Sequence, residues 1–136
     1  MDTQDKARLA LALSADRHTF DGAWWPRSRE LGDELVGLFA AWPANAGYIS
    51  RVIFCPRDWD DAPTAVPIPN RRGRVKTGFL PVDDTHRVVL MMLDGQRRTL
   101  AVIPQSAAPE TANRYLRAFG FRGSPEPQVP VAGPRR

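Results

Sequence analysis

Two adjacent tryptophans, followed by a proline and two arginines, form the densest group of binding-type residues in the chain. The run Asp21-Gly22-Ala23-Trp24-Trp25-Pro26-Arg27-Ser28-Arg29 places two of the four tryptophans in a short segment ahead of a predicted helix. Indole rings offer flat apolar faces, and guanidinium groups are planar cationic donors. The segment therefore predicts either a wedge that packs into the core or a platform for an anionic or aromatic ligand.

The candidate binding residues are Trp24, Trp25, Arg27 and Arg29, together with Trp59 from a later loop. Large aromatic residues more often supply packing than recognition. The alternative therefore stays open that one indole fixes the start of the helix to the sheet, while the arginines face solvent.

A short acidic stretch around Trp59 offers carboxylate oxygens through Asp58, Asp60 and Asp61. The stretch lacks the glycine and the distal glutamate of a calcium loop, and no His or Cys spacing indicates zinc. We therefore predict no metal site. We expect these carboxylates to cap turns or to pair with arginines such as Arg29, which would link the loop to the Trp-Trp segment.

Nucleophilic chemistry has few candidates, namely Cys55 with His18 or His86. An active thiol needs a base within hydrogen-bond reach and a partly exposed, electropositive setting, which the sequence does not show. We expect Cys55 to be a buried, inert thiol at the end of a strand. The sequence thus predicts no catalytic residue and no cofactor, and leaves open whether the protein is an enzyme.

The densest basic cluster is the turn and strand that contain Arg71, Arg72, Arg74 and Lys76. A projecting basic hairpin can contact phosphates without sequence preference. No aromatic residues are interleaved with these charges, and a solvated turn explains them equally well. The four residues are candidate contacts for an anionic partner or a nucleic acid.

The composition is that of one small domain: 136 residues, 43% hydrophobic and 25% charged. No apolar stretch approaches the roughly 20 residues that cross a bilayer, and the polar start does not resemble a signal peptide. The single cysteine cannot form an internal disulfide. We expect a cytoplasmic protein that does not associate with membranes. The net charge of +4 is weak support for nucleic-acid binding, because an arginine bias also follows from a GC-rich genome.

Hydrophobic spacing and turn residues predict the secondary structure. Ser28 is placed to cap the first helix and Pro43 to end it, while Asn70–Gly73 and Asp94-Gly95 indicate hairpin turns. The predicted order begins with a strand at 8–13, for which a helix is the alternative. It continues with a helix at 31–42, strands at 48–54, 65–68, 74–78, 85–93 and 98–103, and a helix at 109–119.

Tight turns between successive strands favour antiparallel pairing. The sequence predicts an α+β fold, with a mainly antiparallel sheet of about five to six strands and two amphipathic helices on one face. We expect residues 1–7 to be a flexible N-terminus, 8–121 a single α+β domain, and 122–136 a disordered Pro/Gly-rich tail.

The string Gly-Ala-Trp-Trp-Pro-Arg-Ser at residues 22–28, with the leucine-rich helix after it, resembles a family of small actinobacterial proteins that carry a domain-of-unknown-function label. The similarity covers about residues 8 to 119, including Trp59, the stretch 74–79, His86 and Leu100–Pro104 before the final helix. It implies one compact, cytoplasmic domain. It brings no established activity, cofactor or catalytic residue.

Three hypotheses follow for the function. The leading one is a non-enzymatic binding or interaction module that uses the Trp-Trp-Pro-Arg surface for a protein or anionic partner. The second is a small-ligand-binding protein or enzyme with a pocket beside that motif, using Asp21, Arg27, Asp58 or His86 as polar groups. The third is nucleic-acid binding through the basic hairpin at residues 71–76.

Overall fold

The computed structural model of the protein describes residues 8–11, 20–69 and 72–119. The predicted flexible residues 1–7 and the predicted tail at 122–136 lie outside the described residues. The described strands are β1 Arg8–Leu11, β2 Gly22–Trp25, β3 Ile49–Phe54, β4 Ala65–Pro67, β5 Arg74–Phe79, β6 Arg87–Met92 and β7 Arg97–Val102, and the helices are α1 Leu31–Ala41 and α2 Pro109–Ala118.

These strands form one seven-stranded sheet in the order β1-β2-β7-β6-β3-β5-β4. The pairs β2–β7 and β3–β5 are parallel, and the other neighbouring pairs are antiparallel. The predicted α+β class and the hairpins β4–β5 and β6–β7 are confirmed. Four of the six neighbouring pairs of described strands are antiparallel, so the sheet is mainly antiparallel but mixed. It has seven strands rather than the predicted five to six, and β2 and β3 reach their parallel partners through long connections that leave no local turn signal.

The additional strand is β2, which contains Trp24 and Trp25 and is not among the predicted strands. All four residues of β2 are buried. Side chains alternate between the two faces of a strand, so a strand with consecutive buried residues must be covered on both sides. A half-buried strand is recognised by alternating polar and apolar residues, and β2 lacks this alternation because both of its faces are covered.

The two helices lie on opposite faces of the sheet, so the prediction of two helices on one face is wrong. Trp24 belongs to one apolar cluster with Leu35 and Leu38 of α1. Trp25 belongs to a second cluster with Tyr115 of α2 and with Ala101 of β7. Because Trp24 and Trp25 are adjacent in one strand, their clusters are on opposite sides, and each indole fixes a different helix.

The direction of the strands brings several loops to one edge of the sheet. The pairings make β2, β7, β3 and β5 run in the same direction, while β6 runs in the opposite one. The carboxyl ends of the four parallel strands therefore meet at one edge, together with the start of β6. We call this the carboxyl edge.

The close approach of β1 and β2 yields a test of the sheet order. A Cβ added to Gly22 would clash with the carbonyl oxygen of Ala10 and lie 2.9 Å from Leu11 Cδ2, whereas a Cβ on Gly37 of α1 would meet nothing within 4 Å. We expect Gly22→Ala to lower the free energy of unfolding by about 2 kcal/mol through overpacking. Gly37→Ala should raise it by about 0.5–1 kcal/mol through helix propensity.

Urea denaturation of both variants measures these changes. Equal stability of Gly22→Ala and the wild type would contradict the β1–β2 pairing.

Candidate functional site

Trp24 and Trp25 lie in the core rather than on the surface. Trp24 has no exposed area, and Trp25 is 5% exposed. Trp25 is covered at the sheet edge by Arg8, whose guanidinium carbon lies 3.6 Å from the ring centroid. Neither indole offers a free face to a ligand in this structure. Their role in the described structure is to join the sheet to its two helices.

Trp59 extends this aromatic packing from the loop after β3. Its ring centroid lies 5.5 Å from that of Trp24, with the planes tilted by 30°. Trp59 is itself 5% exposed. The indoles of Trp24 and Trp59 thus tie the loop after β3 to the carboxyl end of β2.

The arginines of the segment are engaged in contacts with other loops. Arg29 Nε lies 2.9 Å from Asp60 Oδ1 in an ion pair, and Arg29 Nη2 donates a hydrogen bond to the carbonyl of Arg57. The expected link between the acidic stretch and the Trp-Trp segment is therefore present. Arg27 is exposed, and its backbone N–H donates to Glu34 Oε1 over 3.0 Å.

The acidic stretch also caps α1. The carboxylate of Asp61 accepts hydrogen bonds from the backbone N–H groups of Leu31 and Gly32, which are free donors at the start of a helix. The prediction that Ser28 caps α1 is wrong. Ser28 Oγ instead donates to Glu34 Oε2 over 2.8 Å. The cap comes from thirty positions along the chain, where local sequence gives no signal for it.

A cavity of about 140 Å³ opens at the carboxyl edge, beside the Trp-Trp segment. It lies where the loops after β2, β3 and β7 meet the start of β6, a place where sheets with parallel strands often bind ligands. One part of its wall is apolar and the other offers hydrogen-bonding groups. The lining residues are Pro26, Ser28, Arg29, Asp58, Trp59, His86, Val102, Ile103, Pro104, Gln105 and Ser106.

Asp58 and His86 meet at this cavity. Asp58 Oδ2 accepts a hydrogen bond of 2.7 Å from the backbone N–H of His86. The imidazole does not make this bond, and its Nδ1 lies 3.0 Å from Thr85 Oγ1. Burial raises the pKa of Asp58, an effect that the hydrogen bond from the His86 backbone and charge interactions with His86, Arg29 and Arg57 partly offset.

His86 has an unusual backbone conformation. Its φ angle is 63°, and among the described residues it is the non-glycine residue with a positive φ. Such a conformation is costly for a side chain with a Cβ and persists where the surroundings hold it. His86 is held on both sides, because Asp58 accepts from its N–H and the N–H of Val102 donates to its carbonyl over 2.9 Å.

Trp59 adds a donor without an acceptor. Its Nε1 is buried, and no described residue accepts a hydrogen bond from it. A buried N–H without an acceptor is uncommon and costs about 1–3 kcal/mol. The side chain that carries this N–H lines the cavity.

The cavity brings together some of the sequence candidates and leaves others apart. Arg29, Asp58, Trp59 and His86 line it, whereas Asp21 and Arg27 do not. Asp21 serves the sheet, because its carboxylate accepts from the N–H of Thr99 and its own N–H donates to the carbonyl of Thr99.

Cys55 is fully buried, and its Sγ donates to the carbonyl of Val82 over 3.6 Å. His18, its other proposed partner, lies outside the described residues.

The predicted basic hairpin is exposed at Arg72, Arg74 and Lys76, while Arg71 lies outside the described residues. None of these three lines the cavity. The described residues of the basic hairpin therefore do not belong to the carboxyl-edge site.

Sequence reasoning did not select Pro104, Gln105 and Ser106, which close the cavity after β7. The Pro-Gln-Ser stretch follows β7 and has the composition of an ordinary loop. This stretch lies beside the cavity because β7 is the parallel neighbour of β2, which the sequence does not indicate.

A second cavity, of about 210 Å³, lies between the end of α1 and the sheet. Its lining includes Phe39, Trp42, Tyr48 and Ile68 and contains no charged residue. Trp42 Nε1 donates to the carbonyl of Gly47 over 3.1 Å, so its indole N–H is satisfied. This cavity lacks the convergent polar groups of the carboxyl edge.

Residues 8–119 match a family of unknown function, DUF5994. The chain belongs to the DUF5994 family. No curated protein and no solved structure matches this DUF5994 chain. Across its described ranges, the DUF5994 chain has no helix that combines the length and the apolar character needed to span a bilayer.

The raised pKa of Asp58 predicts a pH-dependent stability of this DUF5994 protein. Because the folded pKa exceeds the ordinary value of 3.8, the folded protein holds this proton more readily than the unfolded chain. The stabilising contribution is complete below pH 3.8 and is lost as the pH rises through the raised pKa. Asparagine does not ionise, so Asp58→Asn avoids this loss of stability at higher pH. The amide oxygen of the asparagine still accepts a hydrogen bond from the His86 N–H.

We therefore expect Asp58→Asn to exceed the wild type in free energy of unfolding at pH 7, by a margin that narrows as the pH falls towards 4. Urea denaturation across this pH range measures the margin. Asp94→Asn is the matched control, because Asp94 accepts a backbone N–H from Gln96 in an exposed turn. A margin that widens on acidification would contradict the raised pKa.

Proposed function

We propose that the protein is a non-enzymatic binding module whose ligand site is the cavity at the carboxyl edge. The observation that carries this proposal is the strained backbone of His86 at the wall of that cavity. Strain of this kind is concentrated at functional sites, where the surrounding structure maintains it. Actinobacterial origin and a cytoplasmic location belong to the same proposal, on the sequence resemblance alone.

The contacts around Asp58 support binding rather than nucleophilic catalysis. The backbone of His86, and not its imidazole, bonds to Asp58. The buried Cys55 thiol is engaged with a carbonyl and has no exposed surface. Catalysis by a nucleophile needs a base within hydrogen-bond reach, and the described residues supply no such pair.

The volume of the cavity limits the size of the group it takes. A cavity of about 140 Å³ is comparable with an engineered cavity of roughly 150 Å³ that binds benzene. The site therefore accommodates a group of about six or seven non-hydrogen atoms, either as a whole ligand or as one end of a larger one.

The lining residues determine which parts of the bound group are apolar and which are polar. Trp59, Val102 and Ile103 supply an apolar wall, while the half-buried carboxyl of Asp58 supplies an acceptor. Removing the water from a hydrogen-bond acceptor costs free energy, and this cost is offset when a ligand donates a hydrogen bond to the acceptor. We infer a compact ligand, or ligand end, with an apolar body and an N–H or O–H donor directed at Asp58.

Phenol and toluene test this inference, because they have the same size and differ by one donor. In ¹H–¹⁵N spectra of the labelled protein, we expect phenol to shift the indole N–H of Trp59 and the amide of His86 more strongly than toluene does. Asp58→Asn replaces one carboxyl oxygen with an NH₂ group and should raise the Kd for phenol roughly tenfold, the loss of one hydrogen bond to a charged group.

Asp94→Asn is again the control and should bind phenol as the wild type does. Toluene shifts as large as those of phenol, or a phenol Kd unchanged by Asp58→Asn, would show that Asp58 does not receive the ligand. If neither compound shifts Trp59 or His86, the cavity is not a site for ligands of this size.

The strain at His86 gives a separate prediction. His86→Gly keeps the backbone bonds to Asp58 and Val102 and removes the Cβ that makes a positive φ costly. We expect the free energy of unfolding to stay the same or to rise by up to about 1 kcal/mol. His86→Val should lower it by about 1–2 kcal/mol, since a β-branched residue is least compatible with this conformation.

Thermal unfolding of both variants provides the measurement. If His86 is retained for binding, the Gly variant should lose affinity for phenol although its stability is preserved. A Gly variant that is clearly less stable than the wild type would assign His86 a structural role instead.

A further inference from the structure

One face of the sheet carries no described helix over β3, β5 and β6, although Val89 of β6 is buried on that face. The apolar residues Val52 and Phe54 of β3 and Val88 and Leu90 of β6 point to the face that α1 covers. On the opposite face, α2 packs against β1 and β2, at the other end of the sheet. No helix among the described residues covers the middle strands on that side.

A row of cations crosses this helix-free face. Directly paired residues of neighbouring strands point to the same side of a sheet. Lys76 of β5 pairs with Arg51 of β3, Arg51 pairs with Met91 of β6, and Met91 pairs with Arg97 of β7. Arg74 lies two residues before Lys76 and so points to the same side. We call Arg51, Arg74, Lys76 and Arg97 the cationic face.

The cationic face has no compensating carboxylates among the described residues. All four side chains are exposed. The ion pairs of the described structure join Arg29 to Asp60 and Arg87 to Asp84, and neither includes a member of the cationic face. The four charges are therefore available to an external anion.

The arrangement carries a cost to the folded protein. Arg51 and Lys76 are direct cross-strand neighbours, and like charges in this position destabilise a sheet. The next row on the same face is formed by Gly78, Ile53, Val89 and Thr99, which contain no charge that would offset the repulsion. An anionic partner would remove this repulsion on binding.

We propose that the cationic face binds the phosphodiester backbone of a nucleic acid. Neighbouring strands are about 4.8 Å apart, so the row from Lys76 to Arg97 spans roughly 14 Å of sheet. A repeating polyanion can contact several cations along such a row, whereas a single anion can contact only one or two of them. Arginine, which forms three of the four charges, presents a planar fork that fits phosphate oxygens.

A lipid surface fits this face less well. Membrane-binding surfaces combine cations with exposed apolar side chains that enter the lipid. The large exposed apolar residues of the described structure are Tyr48, Phe79, Val82 and Leu93, and none of them lies in the rows that carry the cationic face.

The proposal is independent of the carboxyl-edge cavity, because no residue of the cationic face lines that cavity. It also differs from binding by the tip of the basic hairpin. The sheet residues Arg51 and Arg97 belong to the cationic face, whereas Arg72 in the turn does not.

Fluorescence anisotropy with labelled 20-nucleotide single-stranded RNA, single-stranded DNA and duplex DNA tests the proposal on the full chain. Four phosphate contacts to a single strand predict a slope of about −2.8 for log Kobs against log salt concentration. Between 50 and 200 mM salt, the affinity should then fall roughly 50-fold. Comparison of the three probes identifies the form of nucleic acid that is preferred.

The triple variant Arg51→Glu/Lys76→Glu/Arg97→Glu should lose both the binding and most of the salt dependence. Arg114→Glu is the control for each single charge reversal, because Arg114 is exposed on α2 at the far end of the sheet and undergoes the same change of charge as Arg51→Glu. Arg51→Glu alone places a carboxylate opposite Lys76, so we expect weaker binding without loss of thermal stability.

Three results would overturn the proposal. The first is that the triple variant still binds nucleic acid. The second is that Arg114→Glu weakens nucleic-acid binding as much as the triple variant does. The third is that Arg72→Glu alone abolishes nucleic-acid binding. Vesicles containing 30% phosphatidylserine provide a further test. The face recognises a lipid surface instead if two results are obtained. The wild type must bind the vesicles as tightly as it binds the nucleic acids, and the triple variant must no longer bind them.

Discussion

The acidic stretch at residues 58–61 is the constraint on which the carboxyl edge depends. Each of its four residues holds a different part of the molecule. Asp58 fixes the backbone of His86, Trp59 packs on Trp24, Asp60 pairs with Arg29, and Asp61 caps α1. The loop after β3 thereby joins three other segments that local sequence does not connect.

These four contacts do not contribute equally. The Arg29–Asp60 ion pair is about half exposed, and pairs of this kind are worth roughly 0–1 kcal/mol. The Asp61 cap contributes typically about 1 kcal/mol. Trp59 is almost fully buried, and burying a large aromatic side chain contributes several times as much as an exposed ion pair. The aromatic contact therefore holds the loop in place, and the carboxylates set its orientation.

The sequence predicts those parts of the fold whose signals are local. The hairpin β6–β7 follows from Asp94-Gly95, and α2 follows from its apolar stripe and from Pro109 at its first turn. The strand β2 could not be recognised in the same way, because burial on both faces removes the alternation of polar and apolar residues. Its run of consecutive apolar residues was a signal for two-sided burial, and hence for helices on opposite faces.

The candidate site shows the same division. The link between Arg29 and the acidic stretch could be predicted from charge alone. The meeting of Asp58 with His86, and the cavity closed by Gln105 and Ser106, depend on which strands are parallel neighbours. That information is contained in pairings between distant residues, which a single sequence without homologues does not reveal.

The position of β2 between β1 and β7 also has a consequence for how the chain reaches this structure. β2 joins the sheet through β7, beginning with the hydrogen bonds between Asp21 and Thr99, which are 78 positions apart. Closing a loop of that length costs on the order of 4 kcal/mol of chain entropy before the sheet is continuous. During synthesis, the Trp-Trp segment emerges well before its inner partner strand is made. The indoles of Trp24 and Trp25 are therefore exposed on the nascent chain until β7 has been synthesised and can pair with β2.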